Sequence, residues 1–213
     1  FIGIKKEALD KEALMELSKK NIVDKYNPFP CPTHSFTKKG LNLKPPVTLD
    51  TIFKNLPEPE QSHDPSHIYY SKAKFMGKHC QGQTEINLKG IGPTIRSEHH
   101  GNIEFRRLSI ENGGKNRQEI IDKKLKERRL SPRECALIQT FPPDFELVIP
   151  NTSGRFLISP SIAYKLIGNA VPPLLAYHLA RRIEDLWDLY FKKENNGSLS
   201  KSNPQKRAIP VAS

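Results

Sequence analysis

Three groups of residues in this 213-residue chain have types and spacings suited to chemistry or recognition. The first is Pro30-Cys31 in "PFPCPTHSF". A catalytic thiol needs an exposed, electropositive setting that lowers its pKa, and only His34 and some lysines stand near enough in sequence to supply one. The second is "YKLIGNAVPPLLAYHLARRI", an apolar run broken at Gly168-Asn169 and restarted behind Pro172-Pro173. An interior glycine costs a helix about 1 kcal/mol and an interior proline about 3, so the break serves more than core packing, unless Gly168 is a helix C-cap with Asn169 its polar neighbour. The third spans "GKHCQGQ" to "IEFRRL", dense in hydrogen-bonding side chains. Arg96, Arg106 and Arg107 suit phosphates or guanine edges, and Gln81, Gln83, Glu98, His99, His100 and Asn102 suit base edges. Each of these also has the plainer reading of a side chain that satisfies a turn or faces solvent. His63 and His67 stand four apart, but Pro65 lies between them and no H-E-x-x-H glutamate accompanies them, so no metal site is expected.

The partner of such groups is bounded by charge. With 34 Lys and Arg against 23 Asp and Glu, the formal charge is +11, which points to a polyanion, nucleic acid ahead of an anionic membrane surface. Binding by phosphate neutralisation would be salt-dependent. Cys31, Cys80 and Cys135 are odd in number and lack C-x-x-C spacing, which argues against a disulfide framework or a cysteine-rich zinc site and for a reducing compartment. No apolar run reaches the roughly 18 residues of a membrane span. The opening "FIGIKKEALDKEAL" starts abruptly inside what reads as a strand, which suggests a chain cut from something larger or one whose beginning lies elsewhere.

The elements that must position these groups follow from the pattern. Phe1 to Ile4 read as a buried strand, and Asp10 caps a helix over "KEALMELSKK" that ends before Asn21. Lys25 to Pro59 are proline-rich loop with a short helix after Thr48. Between Ile68 and Leu108, "IYY", "TEINL", "PTIRS" and "IEFRRL" alternate with Gly-rich turns and predict a small, irregular β-rich module. The run "KNRQEIIDKKLKERR" carries seven basic and three acidic residues and reads as a solvated linker or helix face, with direct DNA contact as the alternative. Ser131, Pro132 and Glu134 form a capping box with proline at the first helical position. Ser159-Pro160 repeat the cap and proline, and Gly168 marks that helix's stop. Pro172 opens a last helix in which Leu175, Leu179, Ile183, Leu186 and Tyr190 form one apolar stripe that packs against a body. Beyond it the composition is polar and reads as a disordered tail.

Two blocks carry a resemblance to a known family. "RRLSPRECALIQTFPPDF", through Arg133, Glu134, Cys135, Ala136, Gln139, Phe141 and Pro142, resembles the ninth motif of the bacterial cytosine-5 DNA methyltransferases that accompany restriction endonucleases. "SPSIAYKLIGNAVPPLLAYHLARRI", through Gly168, Asn169, Val171, Pro172 and Pro173, resembles their tenth. The family often has arginine at the Leu137 position and serine at the Ala170 position. "FIGIKKE" is similar to the strand ending the eighth motif. "FPCPTHSF", "VTLDTIFKNLP" and "GPTIRSEHHGNIEFRR" are similar to the target recognition domain, with Thr94-Ile95 as its Thr-hydrophobic pair.

The resemblance implies an α/β fold: the C-terminal part of a Rossmann-like methyltransferase with an inserted small β-rich target recognition domain. Residues 1–20 would end a catalytic-domain strand and helix, 21–127 would be the recognition domain, 128–192 the ninth- and tenth-motif helices returning to the catalytic domain, and 193–213 the tail. It implies S-adenosylmethionine as cofactor, with Gly168, Asn169, Ala170 and Val171 closing its pocket, the glycine by close approach to a first-motif loop and the asparagine through its amide. Arg133, Glu134 and Gln139 become scaffold between recognition domain and catalytic body, and Cys135 a packing residue. Double-stranded DNA is the implied partner, in a bacterial cytoplasm.

The family's catalytic Pro-Cys loop, Glu-Asn-Val segment, Q-x-R-x-R segment and F-x-G-x-G cofactor loop have no match here, and Cys31 follows the eighth-motif strand, where the family has a proline-rich entry to the recognition domain. The chain is therefore expected to lack a catalytic residue of its own and to need an N-terminal catalytic half. A stand-alone sequence-reading DNA-binding module without catalysis is the alternative.

Overall fold

A computed structural model describes residues 2–37, 43–97, 103–115, 121 and 124–191. Two compact units divide the chain: Phe1–Phe29 with Arg181–Ser213, and Pro30–Ala180.

In the first unit, the Asp10 carboxylate accepts from Glu12 N at 2.9 Å and starts helix α1 (Lys11–Leu17). Leu9, Ala13, Tyr26, Leu186 and Tyr190 form the core. The Tyr190 hydroxyl donates to the Tyr26 carbonyl, and Arg182 donates to the carbonyls of Asn27 and Asp24 at 3.0 and 2.9 Å. The strand expected at the start does not form over the described residues 2–4. The chain instead makes a short 3-10 turn at Lys6–Ala8, and pairing is confined to a single antiparallel bridge, Leu9 to Phe191.

The second unit carries helices α2 (Leu49–Ile52), α3 (Pro65–Ile68), α4 (Pro132–Ile138) and α5 (Pro160–Asn169). Strands β1 (Phe105–Arg107) and β2 (Arg128–Arg129) pair antiparallel, with Phe105 opposite Arg129. Strands β3 (Ile149–Pro150) and β4 (Phe156–Ile158) make a second antiparallel pair. The core gathers Leu49, Phe53, Ile86, Ile95, Ile103, Leu130, Cys135, Ala136, Leu147, Val148, Ala163, Tyr164 and Ile167, so α4 and α5 share a core with Ile95 of the segment expected to meet DNA.

The β-rich module is far less regular than expected. "IYY", "TEINL" and "PTIRS" contain no strand longer than one bridge, Glu85 to Phe105. Gly82, Gly90, Gly92 and Pro93 bound the second and third runs closely, and the backbone is satisfied piecemeal instead. Ile86 N donates to Phe105 O at 3.0 Å, Phe105 N to Thr84 O at 2.8 Å, and Asp50 N to Leu88 O at 2.9 Å. This meets the requirement that buried peptide groups find partners without extended ladders.

Helix α5 continues one residue past Gly168 and is capped at Ala170, whose extended backbone leads into the prolines. The predicted stripe divides. Helix α6 (Pro173–Asp185) has no buried residue, with Leu174, Leu175 and Tyr177 each more than 40% exposed. The chain breaks at Leu186 before α7 (Trp187–Tyr190), and only Leu186 and Tyr190 of the stripe are buried.

Candidate nucleic-acid interface

The sequence "RRLSPRECALI" builds the centre of the site from local signals. Ser131 Oγ accepts from Glu134 N at 3.1 Å, and the Glu134 carboxylate accepts from Ser131 N at 2.8 Å, closing the capping box. The same carboxylate, almost fully buried, takes a two-pronged ion pair from Arg128 at 2.8 and 2.9 Å and faces Arg106 Nε at 3.2 Å. Burial would raise the Glu134 pKa, but Arg128 and Arg106 more than offset it and hold the group below the usual range.

A second carboxylate extends this network. Glu58 receives both Arg107 terminal nitrogens and Arg128 Nε. Burial pushes its pKa up, yet the Arg107 hydrogen bonds and the Arg128 charge win and bring it down to about 2. Arg106 additionally lies over the Phe53 ring at 5.0 Å. Arg106 and Arg107, expected to meet phosphates or guanines, are thus half-buried to buried and engaged with carboxylates of their own chain. Two glutamates beside three guanidiniums balance much of this local positive charge within the chain.

The expected scaffold residues sit between elements. Arg133 pairs with Asp64, whose other oxygen caps α3 by accepting from Ser66 N at 2.8 Å. Gln139 Nε2 donates to Ile167 O at 3.4 Å, joining the end of α4 to α5. His67, weighed only as a zinc ligand, is fully buried and bonds the Pro57 carbonyl at 2.8 Å and Ser131 Oγ at 2.6 Å. A carbonyl only accepts, so Nε2 donates there, and in the neutral ring Nδ1 accepts from the serine hydroxyl. Among the described residues no group of His, Cys, Asp and Glu could hold a metal ion.

The recognition residues separate into outer and inner ones. Gln81 and Thr94 are exposed. Gln83 is buried and accepts from Met76 N at 2.9 Å, Ile95 belongs to the core, and Arg96 pairs with Glu104 at 3.1 Å. Glu98, His99, His100 and Asn102 lie outside the described residues.

Arg129 was missed in the sequence, where it closes a run that reads as solvated. Its side chain is fully buried, stacks 3.8 Å over the Phe105 ring, and donates to the carbonyls of Ala73, Gly82 and Ile103. The fork geometry of a guanidinium lets one side chain tie three loops. The only available signal was its place just before the capping box.

The turn at 168–171 has a definite inner contact. A Cβ built on Gly168 would stand 2.2 Å from the Arg96 carbonyl carbon and 2.4 Å from Ser97 N. The glycine thus makes a close backbone approach to residues 96–97, a contact the sequence pattern did not indicate. Asn169 and Val171 are exposed, Val171 at 61%, and Thr140 Oγ1 accepts from Leu174 N at 3.1 Å just beyond the prolines. The turn therefore presents one amide and one apolar side chain at the surface. A cavity of about 220 Å³ in this unit is lined by residues that include Glu58, Gln61, Arg107, Lys124, Lys126 and Arg128, none of them in that turn.

Of the cysteines, Cys31 is exposed and Cys135 fully buried; burial pushes the Cys135 thiol pKa well up, as suits a packing residue.

The sequence pattern described as C-5 cytosine-specific DNA methylase matches residues 2–185. Over 206 residues the chain is 28% identical to Type II methyltransferase M.BsuRI of Bacillus subtilis, covering 94% of this chain and 44% of that protein. A stretch of 58 residues is 47% identical to Type II methyltransferase M.FnuDI of Fusobacterium nucleatum, 27% of this chain and 14% of that one. A stretch of 57 residues is 46% identical to Type II methyltransferase M.MthTI of Methanothermobacter thermautotrophicus, 27% and 15%. The chain spans less than half the length of these curated relatives.

Proposed function

Since the chain belongs to the C-5 cytosine-specific DNA methylases over residues 2–185, we propose that it is the DNA-recognition and cofactor-pocket-closing portion of a cytosine-5 DNA methyltransferase in a restriction-modification system. The observation that carries this reading is the seating of Gly168 on the backbone of Arg96 and Ser97. It joins the turn assigned to the cofactor directly to the segment assigned to DNA.

In this reading Thr94 and Gln81, both exposed, meet DNA together with Glu98, His99, His100 and Asn102. Arg106, Arg107, Arg133, Glu134 and Gln139 hold the frame. Extruding a base from the stack costs a few kcal/mol, which contacts from this portion offset. S-adenosylmethionine supplies the methyl group when bound, and Asn169, Ala170 and Val171 form one side of its pocket. The attacking thiolate and its acid and base partners come from an N-terminal catalytic half, and the exposed apolar side chains of α6 support a surface that this half covers.

Selection of the purified chain on a randomised duplex library tests the DNA-reading part. Recovery of one short preferred site is the expected result. Enrichment no different from the starting library would overturn it.

A further inference from the structure

Arg106 and Arg107 are engaged with Glu134 and Glu58, whereas a group of lysines close together in sequence is exposed. Residues 65–84 contain three lysines, two histidines and no carboxylate. Within them, residues 71–77 have no regular secondary structure, yet the segment is anchored at several points. Ser71 N donates to the Tyr164 hydroxyl at 3.2 Å, and that hydroxyl donates to Leu130 O at 2.6 Å. The Ala73 and Gly82 carbonyls accept from buried Arg129 at 3.3 and 2.6 Å. Phe75 packs edge-on to Phe105 with centroids 6.1 Å apart, and Met76 N donates to Gln83 Oε1.

These anchors leave Lys72, Lys74 and Lys78 exposed. Lys72 Nζ stands 3.3 Å over the Tyr70 ring, which holds the ammonium by its electrostatic attraction to the ring face without neutralising it. Glu127, which lines one hollow with Lys72 and Lys74, accepts from Ser109 N and Asn112 Nδ2 at 2.8 Å each, and no ion pair from it to either lysine is seen among the described residues. The segment that carries these lysines is tied down by a buried guanidinium, two aromatic rings and a buried glutamine, so their backbone attachment points are held in place.

We infer that Lys72, Lys74 and Lys78 are the sequence-independent contacts of this chain to the DNA phosphate backbone. The inference rests on the DNA-reading function proposed above and adds the surface that sets affinity rather than specificity. Phosphate contacts position a protein on the duplex without carrying sequence information, and each one neutralised adds about 0.9 to the slope of log K against log salt.

The test is binding of the full 213-residue chain to a labelled mixed-sequence duplex across a salt series. The variant Lys72→Gln/Lys74→Gln/Lys78→Gln is compared with Lys5→Gln/Lys6→Gln/Lys11→Gln, which removes equal charge from exposed positions of the first unit. The first is expected to flatten the salt slope by about 2 to 3 and to keep the wild-type sequence preference; the second is expected to leave the slope as it was. Equal flattening by both variants, or none by the first, would overturn the inference while leaving the DNA-binding function standing. Failure of the wild-type chain to bind any duplex would overturn both.

Discussion

The carbonyl carbon of Arg96 stands 2.2 Å from the point that a Gly168 side chain would occupy. Its neighbours there are backbone atoms of Arg96 and Ser97, which cannot swing aside as a side-chain tip does. Gly168→Ala must therefore push α5 away from the 96–97 segment, and overpacking of this kind costs about 1 to 3 kcal/mol. The expected result is a lower denaturant midpoint at unchanged slope. Gly3→Ala, with nothing within 4 Å of the added atom, is expected to leave the midpoint in place.

Glu58 links stability to acid. Its folded pKa of about 2 lies below the ordinary 4.5, so the unfolded chain takes up the proton first. The stability this group contributes is present above about 4.5 and is lost as pH falls from there towards 2. Glu58→Gln is expected to be less stable near neutrality and to show a shallower loss through that window. Urea unfolding at a series of pH values reads both effects.

Glu134 is the more demanding member of the network, because its carboxylate serves the capping box, Arg128 and Arg106 together. Breaking a buried pair by removing one partner typically costs about 3 to 5 kcal/mol, and Glu134→Gln is expected in that range. Arg181→Ala removes only exposed pairs with Glu184 and Asp185 and is expected to cost less than about 1 kcal/mol. Thermal or denaturant unfolding of the two variants gives the ratio.

Cys31 is exposed, with no basic side chain bonded to it among the described residues, and it lies outside the 168–171 turn. Cys31→Ser is expected to leave methyl transfer by the enzyme assembled with its catalytic half close to wild type. A fall of several orders of magnitude in kcat would assign the thiol a direct part.

Local signals were readable in the sequence. Asp10, Ser131 with Glu134, and Ser159 each start the helix expected of them, because capping involves residues two or three apart and needs no tertiary partner. Arg128 and Arg129 were misread as part of a solvated run, since their burial depends on Glu58 and Ala73, 70 and 56 residues away. The same distance hid His67, whose Ser131 partner lies 64 residues on. Short β-branched runs between 68 and 108 suggested strands, but their peptide groups found single backbone or side-chain partners instead of ladders. The stripe through α6 and α7 was correct in pattern for its last two members alone, because Leu186 breaks the helix and only the first unit's core receives Leu186 and Tyr190.

The most direct measurement is transfer of labelled methyl groups from S-adenosylmethionine to unmethylated mixed-sequence duplex DNA by the purified 213-residue chain alone. No transfer, from a preparation that binds the same duplex, is the predicted result. Clear transfer would contradict the assignment of the nucleophile to a separate catalytic half and would make Cys31 the first residue to replace.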